Sequence, residues 1–117
     1  IIFNGPDDQL LAGRMLGANG GIGGTYGCMP ELYVKLNKAI EEGNMNRAIL
    51  WQNRINTVID NLRKFPSTTT LAAAKAVLNA RGVDIGGARL PMITVPSNDP
   101  SIMETAKMIE EWAKLDV

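Results

Sequence analysis

The chain has 117 residues, 45% of them hydrophobic, and its twelve basic and twelve acidic side chains cancel to zero net charge. That length holds at most one ordinary domain, and charges this balanced and interleaved exclude the basic stripe of a nucleic-acid binder. No apolar run approaches the roughly 18 residues that a membrane span requires.

Ile1 to Asn4 reads as a short strand, apolar enough to be buried on both faces, and Gly5-Pro6 ends it. Asp7 and Asp8 then stand where a helix begins, the place where carboxylates satisfy free backbone N–H groups and the positive helix end. That helix is expected to run to about Leu16, with Leu10, Leu11, Met15 and Leu16 near one face, and to close at Gly17. A second strand, about Gly21 to Thr25, is poor by propensity because glycine weakens strands. Such a strand demands tight neighbours or a ligand that approaches its backbone.

Pro30 suits the first turn of the next helix, where Leu32, Leu36, Ala39 and Ile40 repeat at the spacing of one buried face. Gly43 stops this helix and Asn44 caps the following one, about Met45 to Lys64. There Ala48, Trp51, Ile55, Val58, Ile59 and Leu62 form a long apolar stripe, with Arg47, Arg54, Asp60 and Arg63 as its solvated charges. Phe65-Pro66 breaks it. A helix from about Thr69 to Ala80 carries Leu71, Ala74, Val77 and Leu78 and ends at Gly82. Residues 84–98 form a loop, held irregular by Pro91 and Pro96. Asp99 caps and Pro100 opens a last helix, whose face is Ile102, Ala106, Ile109 and Ala113.

The order is β-α-β-α-α-α-α. Two strands do not make a stable sheet by themselves. Residues 1–43 therefore read as a repeated βα unit without its partners, and 44–117 as a helical appendage. The opening on an extended apolar residue, with no Met, reads as a cut through a larger sheet.

Strand–turn–helix units place loop residues at the carboxyl ends of strands, where α/β proteins bind ligands. The glycine cluster Gly20-Gly21-Ile22-Gly23-Gly24 is not a dinucleotide fingerprint, because Tyr26 stands where the third glycine is needed. It is not a P-loop either, since no Gly-Lys-Ser/Thr follows. Tight packing and close ligand approach both remain open for it. Asp7 and Asp8 read as helix caps or as a carboxylate pair that accepts hydrogen bonds from substrate hydroxyls; both hold if the helix starts at a pocket.

With no His, the commonest general base and every Ser-His or Cys-His nucleophile pair are missing. The usual zinc ligand sets are missing too. Cys28, the single cysteine, reads as a small buried hydrophobe in a reducing, cytoplasmic setting. Lys35, Lys38, Lys64, Lys75, Lys107 and Lys114 all fall in predicted helices, and none lies at a strand end where an amine nucleophile would be wanted. Tyr26 reads as a packed aromatic.

Phe3-Asn4-Gly5-Pro6-Asp7-Asp8 and Gly17-Ala18-Asn19-Gly20-Gly21-Ile22-Gly23-Gly24-Thr25-Tyr26 together resemble the N-acetylneuraminate lyase and dihydrodipicolinate synthase family. The nearer likeness is to its N-acetylneuraminate lyase branch, with Tyr/Phe-Asn-Gly-x-Asp-Glu and Gly-Gly-Ile-Gly-Ser-Thr-Tyr at this spacing. Ala88-Arg89-Leu90-Pro91 resembles the loop before the final helix of several members. The resemblance implies an α/β fold, the C-terminal part of a (β/α)8 TIM barrel. On that template residues 1–43 are the last two βα units and 44–117 a C-terminal helical extension, in a protein that is usually a homotetramer.

It also implies a carbon–carbon lyase of the Schiff-base aldolase type, acting on a 2-keto acid without metal or organic cofactor. The reactive lysine and the acid–base tyrosine would lie upstream of Ile1, so the chain by itself is expected to be inactive and to bind the remaining N-terminal part of its own barrel. Carried onto matching positions, the resemblance implicates Gly5 through its backbone and Asp7 and Asp8 through their carboxylates in holding a sugar's polyhydroxyl tail. Two bonds from an ionised carboxylate to substrate hydroxyls contribute ~3–6 kcal/mol before desolvation is subtracted.

Two departures bear on the substrate. Asp8 stands where the lyases usually carry Glu, which shortens the reach by one methylene. Gly24 stands where a serine hydroxyl often touches substrate. The expectation is a sugar-derived 2-keto acid, cleaved as in the N-acetylneuraminate lyases with release of pyruvate, with sugar acids other than sialic acid also open; the acids argue against the small substrate of a dihydrodipicolinate synthase. The competing readings are a dihydrodipicolinate synthase-like synthase or dehydratase, a non-catalytic helical interaction module with the glycine segment as a flexible lead-in, and a small flavodoxin-like nucleotide binder with an anion site at 20–27.

Overall fold

The computed structural model describes residues 1–66 and 70–117. Two strands, β1 (Phe3–Asn4) and β2 (Gly20–Gly21), lie side by side and parallel, with Phe3 opposite Gly20 and Asn4 opposite Gly21. The Asn19 N–H donates to the Ile2 carbonyl (2.8 Å) and the Ile22 N–H to the Asn4 carbonyl (3.1 Å), extending the ladder at both ends. Between the strands runs a 3-10 turn, Asp7–Gln9, that leads into helix α1 (Leu10–Met15). Then follow α2 (Pro30–Glu41), α3 (Met45–Arg63), α4 (Thr70–Ala80) and α5 (Pro100–Ala113).

The molecule divides into two compact units, residues 1–57 with Val117, and residues 58–116. In the first, Leu10, Met29, Leu32, Tyr33, Leu36, Ala39, Ala48, Trp51 and Ile55 are buried. Trp51 is fully enclosed: its indole N–H donates to the Val117 oxygen (2.6 Å), and the Lys35 and Arg54 cations lie 5.4 and 4.6 Å from its ring. In the second unit, α4 packs on α5, and Ala72, Ala73, Ala74, Ala76 and Val77 of α4 and Ile102, Ala106 and Ile109 of α5 are buried. Small side chains on α4 let the two backbones come close. The Arg81 guanidinium there donates to Glu110 (2.7 Å).

The helix punctuation follows from residue chemistry. Gly17, Gly43 and Gly82 have φ of 103°, 69° and 97°, the left-handed conformation that ends a helix at low cost for glycine alone. Asn44 accepts from the Arg47 N–H, and Asp99 accepts from the Ser101 and Ile102 N–H groups, as N-caps do. Pro30 and Pro100 occupy first turns.

Several expectations are corrected. The predicted helix from Asp7 to Leu16 is a 3-10 turn followed by a helix ending at Met15, and neither start is capped by the side chain of its own N-cap residue, Pro6 or Gln9. The second strand is shorter than Gly21–Thr25, because the chain turns from Gly24 onward and the Cys28 N–H closes onto the Thr25 carbonyl (3.3 Å). The first strand is not buried on both faces: Ile1, Ile2 and Phe3 are 100%, 69% and 54% exposed. Met15 and Leu16 are exposed as well, as is Leu71 on α4. The expected start of that helix at Thr69 lies outside the described residues. The glycine segment is not a detached lead-in, since its Gly20 and Gly21 form β2 and pair with β1.

Candidate binding site at the strand ends

Both strands point their C-terminal ends at loops that meet. The Asp7 carboxylate, in the loop after β1, reaches across to Thr25, in the turn after β2. Its Oδ2 accepts from the Thr25 backbone N–H (2.8 Å) and from the Thr25 hydroxyl (2.6 Å). Thr25 is buried, and its Oγ1 lies 2.7 Å from the buried Tyr33 hydroxyl on α2. A threonine hydroxyl has one proton. That proton goes to the carboxylate, so the Tyr33 hydroxyl donates to Thr25. Burial, with the Asp7 charge adding to it, pushes the Tyr33 hydroxyl above the usual phenol range. Tyr33 therefore stays protonated and keeps donating. Tyr26 stacks on Tyr33 with ring centroids 3.8 Å apart, the packed aromatic expected of it. Burial, again with Asp7 adding to it, raises the Tyr26 hydroxyl too.

The glycines here are set by the protein's own atoms. A Cβ on Gly23 would sit 1.6 Å from Asp7 Oδ1, and one on Gly21 would sit 2.2 Å from the Tyr26 hydroxyl oxygen and 2.7 Å from Leu10. Tight packing accounts for both positions. The Thr25 N–H, inside the glycine turn, already holds a carboxylate, so a phosphate there would meet a negative charge instead of a free donor. The nucleotide-binder reading loses its site.

The loop backbone is held from α3 by residues that sequence patterning did not single out. The Gln52 side chain accepts from the Leu11 N–H (2.8 Å), capping α1 from a distance, and donates to the Asp7 carbonyl (3.3 Å) and to the Asn56 side chain (2.9 Å). Asn56 in turn donates to the Asp8 carbonyl (3.3 Å). A polar pair at i, i+4 within a predicted apolar stripe was the available signal. Gln52 is buried. Gln52→Ala strands a helix N–H and a carbonyl, and is expected to cost about 1–3 kcal/mol. The drop is read as a lower urea midpoint with unchanged slope; an unaltered midpoint counts against this role.

Of the residues read as binding a substrate, Gly5 is exposed with open space where a Cβ would stand, and Gly24 is exposed at the start of the turn. Asp7 and Asp8 are half-buried. Asp7 is committed through Oδ2, while among the described residues no donor bonds its Oδ1. A neighbouring cavity of about 330 Å3 is lined by Leu10, Asn19, Gly20, Gly21, Tyr26, Tyr33, Val34 and Asn37, and contains none of the four. Cys28 is buried, its thiol against the Thr25 carbonyl (3.2 Å).

The pattern of the dihydrodipicolinate synthetase family matches residues 1–110. The chain belongs to that family. It is 42% identical over 111 residues to an N-acetylneuraminate lyase of Mediterraneibacter gnavus, covering 93% of this chain and 35% of the relative. It is 36% identical over 92 residues to a 4-hydroxy-tetrahydrodipicolinate synthase of Lactobacillus acidophilus, covering 79% of this chain and 29% of that relative. The longer and stronger match puts the chain on the N-acetylneuraminate lyase branch, as the two glycine-bearing motifs imply. The Ruminococcus gnavus sialic acid aldolase superposes with a TM-score of 0.86 at 41% identity, covering 97% of this chain and 38% of that one. The family fold is thus shared with a sialic acid aldolase, and the chain spans about a third of the length of the relatives it matches. Among the described residues no helix is long and apolar enough to cross a membrane.

Proposed function

We propose that this chain is the tail-gripping portion of a Schiff-base lyase that cleaves a sugar-derived 2-keto acid and releases pyruvate. In this reading residues 1–43 are the last two βα units of a (β/α)8 barrel and 44–117 a helical extension. Gly5, Asp7, Asp8 and Gly24 line the end of the site that holds the substrate's hydroxyls. The carrying observation is the parallel β1–β2 pair, whose following loops are joined through Asp7 and Thr25 into one surface.

Two further features support it. The apolar residues Ile1, Ile2, Phe3 and Ile22, at and beside the strands, are more than half exposed, whereas parallel sheets are normally covered on both faces; the rest of a barrel would cover them. None of the lysines is buried: Lys35, Lys38, Lys75 and Lys107 lie in helices and Lys64 and Lys114 just past helix ends, with the Lys38 and Lys107 side chains 64% and 78% exposed. A Schiff-base amine needs desolvation to act as a nucleophile, which supports a reactive lysine supplied by the upstream part.

The test is complementation. The chain is co-expressed with the segment of the M. gnavus lyase that precedes the matched region. The pair is expected to co-purify, to cleave N-acetylneuraminate or a related 2-keto sugar acid, and to form a borohydride-trapped pyruvate adduct. Cleavage by the 117-residue chain alone, or no cleavage by a well-folded pair, overturns the reading.

A further inference from the structure

The Asp7 carboxylate is used asymmetrically. Oδ2 takes both bonds from Thr25, while among the described residues Oδ1 takes none. A carboxylate on a short side chain in an exposed loop would ordinarily rotate, presenting either oxygen. Here rotation is opposed on two sides. Thr25 holds Oδ2 by its backbone and its hydroxyl, and Gly23 is so close that a Cβ would overlap Oδ1 at 1.6 Å. Behind Thr25, the buried Tyr33 hydroxyl fixes which way the threonine proton points, 2.7 Å from Oγ1. The Tyr33 ring is itself held by stacking on Tyr26.

We infer that Thr25 and Tyr33 are positioning residues for substrate recognition: they orient Asp7 so that one fixed oxygen, Oδ1, meets a hydroxyl of the substrate's tail. This rests on the proposed tail-gripping function. Neither residue touches the reacting carbons, so their removal should weaken the grip on the tail and leave chemistry at the keto end alone.

The complemented pair carries the test. Thr25→Val removes the hydroxyl and keeps the backbone bond and the shape. It is expected to raise KM for the cleaved sugar acid about tenfold with kcat little changed, the pattern of lost binding common to ground and transition states. Tyr33→Phe, which deletes one oxygen, should raise KM about threefold by the same logic, and it carries the test if the valine variant fails to assemble. Thr25→Ser should restore wild-type KM. Borohydride trapping of pyruvate, which has no polyhydroxyl tail, should proceed at the wild-type rate in every variant. An unchanged KM in both hydroxyl deletions, with the wild-type pair cleaving, overturns the inference and leaves the function standing. A parallel fall in kcat and in pyruvate trapping assigns the two residues to scaffold alone and also overturns it. If the wild-type pair cleaves nothing, the functional reading falls first and takes this one with it.

Discussion

Gly23→Ala is expected to lower stability by on the order of 3 kcal/mol and to loosen the loop after β1. The added methyl would stand 1.6 Å from Asp7 Oδ1 and 2.4 Å from its Cγ. No relaxation of a few tenths of an ångström accommodates that, so either the Asp7 side chain leaves or the turn after β2 moves. Overpacking of this kind costs about 1–3 kcal/mol. Expelling Asp7 also breaks its bonds to the Thr25 N–H and hydroxyl, each worth about 1.5–3 kcal/mol with a charged acceptor. The full sum is not reached, because a displaced carboxylate regains water. A double-mutant cycle isolates the cause. Once Asp7→Ala has removed the obstacle, adding Gly23→Ala should cost close to nothing. If the alanine at 23 is equally harmful in both backgrounds, the clash with Asp7 is not the reason glycine is needed.

Trp51→Ala is the other large effect, about 3–5 kcal/mol, the range for truncating a large buried aromatic. Trp51 has no exposed surface, donates its indole N–H to the Val117 oxygen, and lies under the Lys35 and Arg54 cations. Domains hold only about 5–15 kcal/mol in total, so the loss is a large share of what keeps residues 1–57 folded. Guanidinium unfolding followed by circular dichroism should show the midpoint fall with the slope nearly constant. Trp51→Phe, which keeps the ring and loses the N–H and part of the volume, should lose less than half as much. Equal losses for the two substitutions would mean that the indole hydrogen bond, not the packing, carries the effect.

The helices were legible because their signals are local. Gly17, Gly43 and Gly82 do adopt left-handed conformations, Asn44 and Asp99 do cap, and the stripe through Ala48, Trp51, Ile55, Val58 and Leu62 is fully buried. The helix expected over Met45 to Lys64 ends one residue earlier, at Arg63. Family membership was legible from two short motifs, since their glycines and acids stand at a fixed spacing.

What escaped was long-range and polar. Asp7 finds Thr25 across 18 residues, and Leu11 finds Gln52 across 41. Neither pairing leaves a periodic trace, and Asp7 at a helix start has a local explanation that hides the distant one. The second strand was overextended for a related reason. Ile22 continues the ladder by a single bond to Asn4, but Thr25 is drawn out of line by the carboxylate it serves. Leu71 was placed on a buried face by its spacing and is exposed, while Ala74 and Val77 of the same expected face are buried together with alanines 72, 73 and 76.

Gln52 and Asn56 grasp the peptide carbonyls of Asp7 and Asp8, not their side chains. Backbone contacts do not depend on which acid is carried. Moving the two-acid loop into a scaffold that lacks both amides would transplant the letters but not the shape, so residues 5–8 and this stretch of α3 have to be moved as one cassette.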